Sequence, residues 1–365
     1  MRITESAILY DHPLPQLRSR HSFFPSLCRC ADGTLAASVA IGEAFESVDS
    51  TSYILFSSDE GKTWSAPQPM FRKTGAVPVT DYCKLTSLPD GRLLALGYAY
   101  LREDPEKPIG NPVTGGLLDD YIFYSLSSDN GRTWGEMIPI PCAWGPHAEA
   151  SAPLTVLADG SWVTPITGFP NWEGEMTGPM CGRLLCSADH GATWQDDAIC
   201  MAFDHSVTCY EQRLCQLEDG TLVCIGWNED VTTGQRLPNH YTLSQDGGKT
   251  WSAPRSTGIG GQASSLCALD DNRLFALHAI RRDTDAPGIY GYIVDLSDGN
   301  WNIVESALLW APQTPVLRDQ HMSEIFAFLK FGQPSALRLD ENKLLMTHWF
   351  AENGQYKTVV SRIDL

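Results

Sequence analysis

Short runs of alternating apolar and polar residues, each broken by an acidic turn, recur along the whole chain. In QRLCQLEDGTLVCIGW (212–227) two such runs flank one Asp-Gly pair. A period of two on both sides of a tight turn predicts a β-hairpin. The same turn recurs as ADGTL (31–35), PDGRL (89–93), ADGSW (158–162) and EDGTL (218–222), then as DDNRL (270–274) and DENKL (340–344). Asn replaces Gly in the last two, and both residues tolerate positive φ. The chain therefore predicts six hairpins, and no stretch shows the competing 3.6-residue period of a helix.

A second repeat lies between the hairpins. SSDEGKTW (57–64), SSDNGRTW (127–134), SADHGATW (187–194) and SQDGGKTW (244–251) share the pattern S-x-D-x-G-x-T-W, and VDLSDGNW (294–301) is a worn copy. The aspartate is suited to accept hydrogen bonds inside its own turn, the glycine to take positive φ, and the tryptophan to fill the space between strands. A residue repeated once per unit reads as scaffold rather than as a catalytic group. Each unit is hairpin, loop, strand, octapeptide turn, strand. Four strands repeated six times predict an all-β, six-bladed β-propeller as a single domain over 1–365, with the N-terminal ESAILYD closing the ring.

Composition narrows the partners. The 365 residues carry a formal net charge of −18, and no Lys/Arg run offers a nucleic-acid surface. No segment has the roughly 18–20 apolar residues of a membrane-spanning helix. The opening MRITESAILYDHPLPQ has no apolar stretch of a secretory leader. The 11 cysteines are scattered without CxxC pairs. Together these features lead us to expect a reduced, cytoplasmic protein. Oligomeric state is not readable.

The octapeptide is the Asp-box, and six blades carrying it resemble the sialidase (neuraminidase) superfamily from about Arg20 to Leu365. The resemblance implies a substrate site on the propeller axis. There, sialidases use three arginines for the sugar carboxylate, a tyrosine nucleophile, a glutamate that polarises it, and an aspartate acid/base. The first arginine position falls on Phe23 in HSFFPSL and the second on Trp227. The third falls in PGIYGYIVDLSDGNW, which has no arginine, and the tyrosine position falls on Gln333 or Pro334. The glutamate is matched by Glu211, eight residues before Asp219, and Gln262 matches the family's Gln-Ala/Gly-Ser segment. In the loop 42–59, Glu46 and Asp49 are candidates for the acid/base, with Glu43 beside them. Three guanidinium forks grip a carboxylate by bidentate bonds that Phe, Trp and Gly cannot make.

Counting from the turns places further residues at the axis. Tyr82, Glu211 and Gln333 lie nine residues before a turn Gly or Asn, and Trp227, His278 and His348 lie six or seven after one. Strand-entry loops add Arg20, His21, His147, Glu149 and His205. Aromatic faces stack on sugar rings and carboxylates bond hydroxyls, so the expected partner is a carbohydrate. Glycoside cleavage commonly uses two carboxyl groups, and Glu211 with Glu46, Asp49 or Glu149 supplies them. His147 and Glu149 share a strand face. With the other histidines they are weighed as metal ligands, but the reading adopted has no metal and no cofactor. The leading expectation is a divergent exo-glycosidase, with sialoside hydrolysis set in doubt by the missing arginines. A sugar lyase using a His base beside a uronate, with a tyrosine such as Tyr82 as acid, is one alternative. A non-catalytic carbohydrate- or protein-binding propeller is the other.

Overall fold

The computed structural model describes residues 1–73, 75–204, 206–313 and 330–365. In chain order, the strands open with β1 (Arg2–Tyr10). Blade one follows as β2 (His21–Arg29), β3 (Leu35–Gly42), β4 (Thr51–Ser57) and β5 (Gln68–Pro69). Blade two is β6 (Val79–Ser87), β7 (Leu93–Leu101), β8 (Asp120–Ser127) and β9 (Ile138–Pro139). Blade three is β10 (Ala148–Glu149), β11 (Thr155–Val156), β12 (Trp162–Gly168), β13 (Cys181–Ser187) and β14 (Gln195–Ala202). Blade four is β15 (Tyr210–Gln216), β16 (Leu222–Asp230), β17 (Gln235–Ser244) and β18 (Arg255–Ser256). Blade five is β19 (Ser264–Ala268), β20 (Arg273–Ile280), β21 (Gly288–Asp295) and β22 (Asn302–Trp310). Blade six is β23 (Phe331–Arg338), β24 (Lys343–Glu352) and β25 (Gln355–Asp364), with β1 added outside β25. The protein is a six-bladed, all-β propeller, each blade an antiparallel sheet. Among the described residues no helix is long and apolar enough to cross a membrane.

The Asp-box has the same bonding in four blades. In blade one the Asp59 carboxylate accepts from the Thr63 amide (2.9 Å) and hydroxyl (2.6 Å), and the Trp64 indole donates to the Gly61 carbonyl (3.0 Å). Asp129, Asp189 and Asp246 repeat this in their own turns. Their threonine donors hold these carboxyls down to about 2. None of the four faces the axis site described below. The hydrophobic cores lie between adjacent blades; one joins Leu94 and Tyr124 of blade two to Trp162 and Leu185 of blade three.

Three inner strands bulge at equivalent places. Register shifts interrupt β2 between Phe23 and Ser26, β15 between Tyr210 and Arg213, and β23 between Gly332 and Ser335. At each shift one residue takes left-handed backbone: Phe24 (φ 53°), Glu211 (φ 42°) and Gln333 (φ 42°). Such a bulge re-aims a side chain that the pleat would otherwise send elsewhere, and strain at non-glycine residues gathers at sites of function. In blade three the inner strand is broken instead. Pro153, which has no N–H to give a ladder, lies in the gap between β10 and β11. Glu149 is therefore the last residue of β10, at the mouth of that gap.

Candidate functional site

The inner ends of the blades enclose a central cavity of about 310 Å³. Glu46, Glu149 and Glu211 all open onto it, from blades one, three and four. Its walls are aromatic. On one side Phe169 stacks on Tyr210 (5.0 Å between ring centres) and Tyr210 tilts against Trp227 (4.7 Å). On the other, Phe24 and Phe45 meet at 5.5 Å and Phe45 meets Trp349 at 5.9 Å. A loop from blade two forms part of the rim, tied across to blade three where Asn111 Nδ2 and Thr114 Oγ1 both donate to the Trp172 carbonyl (2.9 and 2.7 Å).

Glu211 is held from two sides. Trp227 Nε1 donates to one carboxylate oxygen (2.9 Å) and Gln333 Nε2 to the other (2.6 Å). Lys84 Nζ donates in turn to Gln333 Oε1 at 3.4 Å, which orients that amide, and to the carbonyls of Phe24 and Pro25, both at 3.2 Å. Arg213 is buried beneath, bonded to Ser151 Oγ (2.9 Å) and to the Glu211 and Gln212 carbonyls (3.0 and 2.8 Å).

The other two carboxyls are pushed toward their neutral forms. Burial, then the charge of Glu211, raises Glu149 to about 7, against the pull of Ser151, Arg213 and Lys84. Burial, then Glu149, raises Glu46 to about 8, with Arg102 opposing. Glu46 keeps some contact with the cavity, yet protein surrounds it closely enough for burial to dominate. Burial also lowers the Lys84 ammonium to about 7. Carboxyls crowded in a water-poor pocket separate into proton donors and acceptors.

These shifts carry a stability consequence. A carboxyl with a raised folded pKa stabilises the fold fully below its unfolded value, near 4.5, and loses that contribution as pH rises through the folded pKa. Stability is therefore expected to fall from about pH 5, through about 7 for Glu149 and about 8 for Glu46. Above about 7 the depressed Lys84 acts oppositely, favouring the fold as pH rises. Thermal melting from pH 5 to 7 should show the decline, and Glu149→Gln should flatten it. An unchanged slope in that variant refutes the assignment.

The structure thus brings Glu46, Glu149, Glu211, Trp227, Gln262 and Gln333 to one cavity. Tyr82 sits behind the lining, buried against Phe24 (4.7 Å) and Tyr98 (5.5 Å). Several expected residues lie elsewhere. Asp49 is spent on its own loop, accepting from Ser47 Oγ (2.6 Å), the Glu43 amide (3.0 Å) and Arg20 (2.7 Å), which removes both Asp49 and Arg20 from the axis. His21 accepts from the Tyr356 amide (3.1 Å). His147 Nε2 lies 3.0 Å from Asp119 and outside the cavity lining; β10 begins only at Ala148, so the two residues do not share the strand face expected of them. His278 and His348 are fully buried within their blades, one bonded to Ser264 Oγ (2.9 Å) and the other 4.8 Å from the Trp310 ring. Burial lowers both to about 3, so neither serves as a base near neutrality. His205 lies outside the described residues. Among the described residues no group of three or more His, Cys, Asp or Glu is arranged to hold a metal ion.

Strand parity accounts for His278 and His348. Side chains alternate across a strand. Seven residues past the turn, Tyr98, Trp227 and Trp349 line the cavity, whereas His278 and His348, six past it, are on the opposite parity and outside its lining. Nine past the turn, on the inward parity, stand Tyr100 and Arg281. Arg281 and Arg282 were not among the expected site residues, and carrying the count on from seven by two or three positions finds both.

The BNR repeat-like domain family matches residues 109–287. No curated protein is significantly similar in sequence. Among solved structures, a protein of unknown function from Dyadobacter fermentans is 20% identical with a TM-score of 0.77, covering 100% of this chain and 99% of that one. The α-L-arabinanase of Penicillium chrysogenum, solved with arabinobiose, is 14% identical with a TM-score of 0.66, covering 100% and 99%. The NanB sialidase of Streptococcus pneumoniae is 12% identical with a TM-score of 0.63, covering 99% of this chain and 70% of that one. At these identities the likeness is one of fold.

Proposed function

We propose that this chain, a BNR-repeat six-bladed propeller of the sialidase superfamily, is a divergent exo-glycosidase that hydrolyses a glycoside in its central cavity. The observation that carries the reading is the meeting of Glu46, Glu149 and Glu211 in one aromatic-walled funnel, two of them biased toward the protonated form. Glu149 donates its proton to the departing glycosidic oxygen. Glu211, fixed by Trp227 and Gln333, acts on the opposite side as nucleophile or as base toward water. These are the two roles that glycoside cleavage requires. Glu46, neutral at the working pH, hydrogen-bonds a sugar hydroxyl, and the aromatic walls stack on the ring. Phe23 is fully buried and Trp227 is bonded to Glu211, so neither offers a positive charge where the resemblance asks for one. Sialosides are accordingly poor candidates. Eleven unpaired cysteines support placing the protein in a reducing compartment.

A panel of chromogenic glycosides, including sialoside, uronide and arabinofuranoside members, tests the reading. Release from one member is expected, with kcat falling as pH rises through about 7, the value to which burial and Glu211 bring Glu149. No release from any member, with ligand still bound intact, supports the binding-propeller alternative instead. A product absorbing in the near ultraviolet supports the lyase alternative.

A further inference from the structure

A second cavity of about 400 Å³ opens between blades four and five. It adjoins the central one: Trp227, Gln262, Arg281 and Arg282 line both. Its floor is open: a Cβ on Gly260 meets no atom within 4 Å. Each cavity suits a small ligand, and together they suit two linked sugars.

The side cavity is cationic in an otherwise acidic protein. Arg236, Arg281 and Arg282 line it against Glu229 and Asp283, three positive groups to two negative among the described residues. Arg236 is bonded to both oxygens of Asp283 (3.0 and 3.2 Å). Arg281 donates one guanidinium nitrogen to the Phe331 carbonyl (3.0 Å), and its buried Nε has no hydrogen-bond partner among the described residues. Burial and the adjacent guanidiniums of Arg236 and Arg281 lower Arg282 to about 10, against Glu229 and Asp283. Crowding of this kind is relieved by an anion, and guanidinium forks match flat or tetrahedral oxyanions.

We propose that the substrate is an oligosaccharide with an oxyanion, a carboxylate or a sulfate ester, on the sugar adjoining the one in the funnel. The side cavity receives that charged sugar, and Arg281 and Arg282 face its anion. This rests on the glycosidase reading of the central cavity. It differs from the arginine positions that the resemblance implies, which fall on Phe23, on Trp227 and within 287–301.

The test is calorimetric binding to the full chain carrying Glu211→Gln, so that cleavage does not intervene. The probes are inorganic sulfate, a uronate-containing disaccharide, a sulfated neutral disaccharide and the unmodified neutral disaccharide. At least one anionic disaccharide is expected to bind roughly tenfold or more tighter than the neutral one, with the advantage shrinking as salt rises. The arm that binds tells carboxylate from sulfate. Arg282→Ala should abolish the advantage. Arg236→Gln, at a partly exposed pair, should reduce it and guards against misfolding of the first variant. Equal binding of charged and neutral probes, no binding of any anionic probe, or an advantage kept in both variants overturns the inference. Charge-selective binding of a glycan that the wild type never cleaves sinks the glycosidase reading alone. Cleavage without charge preference sinks this one alone.

Discussion

Glu211→Gln is expected to lower kcat on the best glycoside of the panel by roughly 10³-fold or more, with KM changed by no more than a few-fold. The reason is chemical. An amide neither attacks an anomeric carbon nor takes a proton from water, and loss of a positioned acid or base costs on the order of 10²–10⁴, more when it is the nucleophile. The fold should survive. Glutamine keeps one carbonyl oxygen for the Trp227 indole, and only the 2.6 Å bond from Gln333 is lost or turned. Turning the Gln333 amide also moves its oxygen away from Lys84. The stability cost is therefore about 1 kcal/mol, the worth of an ordinary hydrogen bond. Kinetics and thermal melting of the same preparation check both halves. A variant within tenfold of wild-type kcat removes Glu211 from the chemistry.

Gly97→Ala is expected to destabilise the protein by roughly 3 kcal/mol or more. Gly97 pairs with Cys83 across β6 and β7. A Cβ there would lie 1.8 Å from the Tyr82 carbonyl oxygen and 2.8 Å from the Cys83 Cα. Both are backbone atoms of the inner strand, so no rotamer change relieves the clash and the strand itself must move. Tyr82 and Tyr98 flank this point, one behind the cavity lining and one in it, so binding should weaken as well. Gly75→Ala is the control. Among the described residues its Cβ would come no closer than 3.6 Å to any atom beyond its chain neighbours, and melting should stay within about 0.5 kcal/mol of wild type. Equal melting temperatures for the two variants contradict the packing argument.

Much of the fold is legible before any coordinates. Six turn pairs and the octapeptides between them specify where strands start and stop, because turn chemistry and period-two burial are local properties; positive φ is taken at Gly33, Gly91, Gly160 and Gly220 but not at Asn272 or Asn342. The Asp-box shows the same thing in miniature. Ser57, Asp59, Gly61, Thr63 and Trp64 satisfy one another within eight residues. Glu211 and Gln333 were reachable by counting back from those turns, and Gln262 through the family resemblance. Asp49 came instead from the blade-one loop where the resemblance implies an acid/base, and it is misplaced because only the folded loop reveals that Arg20 and Ser47 claim its oxygens.

By itself, the sequence determined the repeat, the strand boundaries, the closing role of its first strand and the carboxyl groups worth watching, since each depends on residues near one another along the chain. Tertiary structure alone decided which of those groups share a cavity. Glu46, Glu149 and Glu211 are separated by 103 and 62 residues in the chain, and their meeting depends on the bulge at Glu211, the break after Glu149 and the loop that carries Glu46 inward. It also decided that Arg281 and Arg282 open a second cavity beside the first. Electrostatic coupling falls with distance and grows as water is excluded, and neither quantity is written in a linear sequence.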